Sequence, residues 1–167
     1  MAKAVVALGS NLPGRFTSSE ALLEAALEAL TAAGLQVTRA SSVWRSAAWP
    51  DASAPEFRNR VALVETALGP ERAMIGLLAV ERAFGRERGR PNAARTLDLD
   101  LIDYDGRRVE TAELRLPHPR AHERFFVMGP LAEVSPQWMH PLKRKTAERL
   151  AAEAWVGLDA HSAAPER

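Results

Sequence analysis

The chain has 167 residues, and 22 Lys and Arg against 21 Asp and Glu leave a formal charge of +1. That length predicts one domain, with 47% hydrophobic residues to build its core. The balance of charge argues against a general nucleic-acid or membrane-surface binder, and the absence of cysteine excludes disulfide scaffolds, thiolate metal sites and cysteine nucleophiles.

In chain order, Ala4 to Leu8 is an apolar run that reads as a first strand, broken by the turn chemistry of Gly9-Ser10-Asn11. It is too short for a secretory signal, and no apolar stretch approaches the roughly 20 residues of a membrane span. A cytoplasmic protein is the expectation. Thr17-Ser18-Ser19-Glu20 has the form of a capping box, with Thr17 and Glu20 as the reciprocal pair. Leu22, Leu23, Ala26, Leu27 and Leu30 then fall on one helical face, and Gly34 supplies a stop. Gln36 to Arg45 reads as a second strand, Ser46 to Pro55 as a loop, and Phe57 to Thr66 as a third strand.

Pro70 suits the first position of a second helix, whose expected buried stripe is Met74, Leu77, Leu78 and Phe84. An Arg-rich loop, Arg86 to Arg95, precedes a fourth strand from Thr96 to Tyr104, and Asp105-Gly106 is a hairpin signal. A Pro-His-Pro loop, a short helix near Phe126 to Glu133 and a basic helix from about Lys145 follow. The end, from about Gly157, reads as a loose tail. This order predicts a ferredoxin-like βαββαβ sandwich of the α+β class: an antiparallel sheet with helices on one face, plus a C-terminal extension with a hairpin and short helices.

The sharpest segment is Arg95-Thr96-Leu97-Asp98-Leu99-Asp100-Leu101-Ile102. Alternation turns the leucines one way and Asp98 and Asp100 the other, with the carboxylates roughly 6–7 Å apart along the strand. Such a pair is either a solvated acidic face or a site for hard cations, since magnesium takes carboxylate oxygens and keeps positions open for phosphate. Arg82, Arg86, Arg88, Arg90 and Arg95 crowd before it. Guanidinium forks bind phosphate oxygens bidentately, so the cluster beside the acidic strand points to phosphoryl-type transfer from a nucleotide.

Glu81 lies at the edge of the second helix's apolar stripe and needs a partner, an arginine or a ligand. His118 sits between two prolines, either as a loop hydrogen-bonder or as a phosphate donor. Phe57 and Asn59 share a strand face, an aromatic plane beside an amide that suits a flat heterocycle. The histidines lack zinc spacing, and no P-loop occurs.

Together Ala7-Leu8-Gly9-Ser10-Asn11-Leu12, Phe57-Arg58-Asn59, Gly85-Arg86, Arg95-Thr96-Leu97-Asp98-Leu99-Asp100, Leu116-Pro117-His118 and Arg124-Phe125-Phe126 resemble 6-hydroxymethyl-7,8-dihydropterin pyrophosphokinase of folate biosynthesis. The resemblance runs from near residue 4 to about 140. It implies a ferredoxin-like fold and Mg²⁺-dependent transfer of pyrophosphate from ATP to the pterin's hydroxymethyl oxygen, with release of AMP. By resemblance, Asp98 and Asp100 are ligands of two Mg²⁺ ions and, with Arg86 and Arg95, the catalytic residues. Glu81, Arg86, Arg95, His118 and Arg124 contact ATP. Asn59 reads the pterin edge, Phe57 and Phe126 stack on its two sides, and Ser46, Ala47 and Trp49 finish the pocket. A monomer acting on small molecules, without nucleic acid or membrane, is expected. In place of the Trp-Gly-Pro that many members carry, this chain has Asn92-Ala93-Ala94, and Pro119 replaces an aromatic that often follows the histidine. The alternatives are a two-metal nucleotidyltransferase or cyclase, which would release pyrophosphate and has no need of Asn59, and a ferredoxin-like RNA-binding module, disfavoured by 6% aromatics.

Overall fold

The structure is a computed structural model and describes residues 1–48, 53–85 and 96–163. Strands β1 (Ala2–Ser10), β2 (Gln36–Ala40), β3 (Trp44–Ser46), β4 (Phe57–Thr66) and β5 (Asp98–Tyr104) alternate with helices α1 (Ser19–Ala32) and α2 (Pro70–Ala83). They form one antiparallel sheet in the order β5-β1-β4-β3, with β2 also on β4. That is the predicted ferredoxin-like βαββαβ arrangement. The strands β6 (Val109–Glu110) and β7 (Arg115–Leu116) form a separate hairpin, and α3 (Phe125–Val134) and α4 (Ala147–Glu153) follow.

Alternation along each strand sorts side chains to two cores. Val6 and Leu8 of β1, Ala62 and Val64 of β4, and Leu99 and Leu101 of β5 pack under α1 and α2. Val5, Ala7, Val61 and Ile102 face the other way, against Val127, Met128 and Leu131 of α3 and Leu150 of α4. The helices therefore cover both faces, not one: α1 and α2 take the first, and the C-terminal helices take the second. A sheet with apolar residues at consecutive positions of β1, Ala4 to Leu8, needs cover on both sides.

Several local expectations shift. The N-cap of α1 is Ser18, whose Oγ accepts the Ala21 amide at 3.0 Å, so the Thr17–Glu20 capping box does not form. Glu20 instead pairs with Arg58 on β4. Gly34 ends α1 as predicted, at φ +93°, where a side chain would be strained. The second strand splits into β2 and β3, because the Ser41 Oγ accepts the Val61 amide at 2.9 Å and its carbonyl accepts two Arg60 nitrogens at 2.7 and 3.1 Å. In α2 the buried stripe runs through Ala73, Leu77, Val80 and Phe84, with Met74 and Leu78 half-buried at its edge.

Strand β1 continues through Gly9 and Ser10, which the sequence assigns to a turn. Asp105 and Gly106 do turn, both at positive φ, and the Arg107 amide closes onto the Tyr104 carbonyl at 2.9 Å. The chain beyond them pairs β6 with β7 rather than returning along β5. Residues 157–163 are not a loose tail: β8 (His161–Ser162) pairs with the outer edge of β3.

Candidate active site

The site lies at one end of the sheet, on the face that α3 covers only in part. Register places Gly9 of β1 between Asp98 of β5 and Asn59 of β4, with Trp44 of β3 next in the row. Adjacent strands are about 4.8 Å apart, so Asp98 and Asn59 stand roughly 10 Å from one another with only backbone between them. A Cβ on Gly9 would come within 3.1 Å of Asn59 Oδ1. The bare glycine leaves that space to the amide.

Asp98 and Asp100 are half-buried and share this face, while Leu97, Leu99 and Leu101 are buried beneath them. Glu81 explains how that strand is held. Its side chain is 2% exposed, and its Oε2 accepts the Leu99 amide, between the two aspartates, at 2.8 Å. That hydrogen bond ties α2 to the strand between the two aspartates. Beyond them a bulge shifts the register between Val5 and Val6. Asp103, after the bulge, is buried, accepts Trp138 Nε1 at 3.0 Å, and has its carboxyl pKa raised by burial.

Asp98 and Asp100 supply only oxygen donors, which fits a hard cation that completes its shell with phosphate and water. Among the described residues no group of three His, Cys, Asp or Glu comes together.

His118 stands on the loop after the cis Leu116–Pro117 bond. Its Nδ1 accepts the amides of Arg120 and Ala121 at 3.2 and 3.1 Å, so the proton of the neutral ring lies on Nε2. Burial, aided by the nearby Arg124 charge and opposed by Asp98, lowers its pKa to about 4. It is therefore a neutral donor at physiological pH. Asp100 and His118 share a small cavity of about 180 Å³ with Met74 and Arg115. Arg115 is a cation that the sequence reading passed over. Its signal is the alternation Leu114-Arg115-Leu116, in which both leucines are buried and the arginine is exposed. On the other side of His118, a cleft of about 720 Å³ runs past His122, His140 and Lys143.

At the other end of the row, Asn59 is buried and donates from Nδ2 to Ser46 Oγ at 3.1 Å. Phe57, two residues before it, is half-buried on the same face, and β3 carries Ser46 and leads into Ala47. Phe126 on the first turn of α3 is half-buried, with the Arg124 guanidinium 5.9 Å over its ring. The arrangement brings Asp98, Asp100, His118, Asn59, Ser46, Ala47, Phe57, Phe126 and Arg124 to one end of the sheet. Trp44 is a further residue the sequence reading left out. It packs over Gly129, leans on Phe125 at 5.6 Å, and donates from Nε1 to Glu133 at 3.2 Å. Trp49, Arg86 and Arg95 lie outside the described residues, as do Arg88, Arg90 and Asn92-Ala93-Ala94.

Fold and site together define an α+β enzyme with an oxygen-donor pair at one end of a polar row and an amide beside aromatic rings at the other. The chain belongs to the 7,8-dihydro-6-hydroxymethylpterin-pyrophosphokinase family, whose description it matches over residues 5–136. It is 41% identical over 148 residues to the 2-amino-4-hydroxy-6-hydroxymethyldihydropteridine pyrophosphokinase of Synechocystis, a match covering 88% of this chain and 73% of that one. The enzyme of the same name from Methylorubrum extorquens is 36% identical over 137 residues, covering 81% and 84%. Among solved structures, the Plasmodium falciparum HPPK-DHPS protein superposes with a TM-score of 0.67 at 12% identity, over 92% of this chain. This chain spans 43% of that longer protein, and the likeness speaks for the fold alone.

Proposed function

We propose that this chain transfers the pyrophosphoryl group of ATP to the hydroxymethyl oxygen of 6-hydroxymethyl-7,8-dihydropterin, releasing AMP, as a Mg²⁺-dependent step of folate synthesis. One observation carries the assignment of roles: Asp98 and Asn59 flank Gly9 in the same row of the sheet. Their separation of roughly 10 Å accommodates a phosphate tail at one end and a flat heterocycle at the other.

In this reading Asp98 and Asp100 hold two Mg²⁺ ions, which supply charge neutralisation to the triphosphate. Asn59 presents Oδ1 and an amide hydrogen to the pterin edge, and Phe57 and Phe126 bound its ring faces, with Ser46, Ala47 and Trp49 completing the pocket. His118 donates from Nε2 to a phosphate oxygen, and Arg124, Arg86 and Arg95 bind further oxygens bidentately. The pterin hydroxyl oxygen attacks the β-phosphorus in line. The bond from that phosphorus to the oxygen bridging it to the α-phosphorus breaks, AMP leaves with the electron pair, and the hydroxyl proton passes to solvent. The protein's task is positioning and electrostatic stabilisation, and no protein nucleophile takes part.

The reading includes a monomer working in the cytoplasm. Among the described residues no helix is long and apolar enough to cross a membrane.

Purified protein with ATP, Mg²⁺ and the reduced pterin alcohol is expected to yield AMP and pterin diphosphate in equal amounts. Asp98→Ala and Asp100→Ala should each lower kcat by about 10²-fold or more, with the thermal transition retained. Release of pyrophosphate instead of AMP, or near-normal kcat in either variant at saturating Mg²⁺, would overturn the proposal.

A further inference from the structure

The C-terminal segment lies beyond the span of the family match, which ends at residue 136. Leaving α4, the chain is stitched to the start of α3. The Trp155 and Val156 amides donate to the Glu123 carbonyl at 3.1 and 3.0 Å, and the Phe125 amide donates to the Val156 carbonyl at 2.8 Å. Gly157 then turns at φ +70° directly against Phe126, where a Cβ would lie 2.4 Å from the ring's Cδ1. Two residues on, Asp159 Oδ2 accepts the Ala47 amide at 2.6 Å. β8 continues along β3, pairing Ser162 with Trp44 and His161 with Arg45, and the Ala163 amide donates to the Val43 carbonyl at 2.8 Å.

Hydrophobic burial does not account for this placement, because Ala160 is the one buried residue between 157 and 163. Directional polar contacts do. A hydrogen bond from a neutral amide to a carboxylate is stronger than one between neutral groups. The targets are specific: one contact is the ring of Phe126, and the other is the backbone just after Ser46. Resting on the reading that these are two walls of the pterin pocket, we infer that residues 157–163 form a latch that holds those walls at substrate spacing. Gly157 and Asp159 are its positioning residues. Gly157 admits the Phe126 ring to its place, and Asp159 fixes the backbone at Ala47.

The test measures pterin and ATP affinity, KM and kcat for Asp159→Ala, Asp159→Asn and Gly157→Ala, with Asn59→Ala as the reference for the pocket itself. Asp159→Ala should weaken pterin binding about tenfold while ATP affinity stays within about twofold. Asp159→Asn, which keeps an acceptor oxygen, should restore most of the loss. Gly157→Ala should also weaken the pterin selectively, because the ring must move. Equal loss of both affinities, unchanged pterin binding in Asp159→Ala, or failure of Asp159→Asn to rescue would overturn the latch. If Asn59→Ala weakens the pterin selectively and Asp159→Ala does not, the latch alone falls. If Asn59→Ala leaves pterin affinity unchanged, the pocket reading falls and takes the latch with it.

Discussion

Asp98, Glu81 and His118 differ in how far a residue's role can be read without its surroundings. The Asp98–Asp100 pair is readable from alternation alone, because a period of two places both carboxylates on one face whatever the fold. Glu81 is not, because its partner is the Leu99 amide 18 positions away on another element. His118 and His140 each accept two backbone amides at Nδ1, and burial first of all holds each pKa at about 4. In the unfolded chain a histidine titrates near 6.5, so the unfolded state binds more protons between these values. The stability these neutral rings contribute is present above about pH 6.5 and is lost as pH falls toward 4. Asp103 acts in the opposite sense, since its raised pKa favours the folded state as it protonates in acid. Thermal midpoints followed from pH 7 to 4 should fall, and His140→Asn should flatten the slope. An unchanged slope would mean that His140 is not the source.

At the scale of the element, Ser18 and Thr17 give a sharp contrast. Both are residues that cap helices, and the sequence pattern favours Thr17 because Glu20 follows three positions later. Tertiary contact decides against it: Arg58 on β4 draws Glu20 toward the sheet, and Ser18 Oγ is left to take the Ala21 amide. Ser18→Ala should destabilise the protein by about 1 kcal/mol in chemical denaturation, and Thr17→Ala should cost little. A larger loss from Thr17→Ala would show the cap to be one residue earlier. The split of the second strand has the same character, since it depends on where Arg60 and Val61 meet Ser41.

For the whole molecule, the second core is the feature that sets the site. Helix α3 lies across the sheet face opposite α1 and α2, and its position brings Arg124 and Phe126 to the polar row. Trp44 and Gly129 are the point of closest fit: a Cβ at Gly129 would lie 2.7 Å from the indole. Gly129→Ala should therefore cost about 1–3 kcal/mol through overpacking, read as a lower thermal midpoint. Adding Trp44→Phe, which shortens the ring, should return part of it. If the double variant were as unstable as the single one, the Trp44 contact would not be the cause.

What the sequence determined by itself was whatever rests on local period and backbone chemistry. That covers the order of strands and helices in the βαββαβ unit, the leucine face beneath Asp98 and Asp100, the shared face of Phe57 and Asn59, and the stop at Gly34. The motifs in fixed order also sufficed for the family. Only the tertiary structure decided which face α3 covers, that Glu81 serves the strand between the aspartates, and that Asp159 reaches Ala47. These depend on contacts between positions far apart in the chain, 112 residues in the last case. Local propensity carries no information about such pairs, because their energy exists only once the sheet has set the register that brings them together.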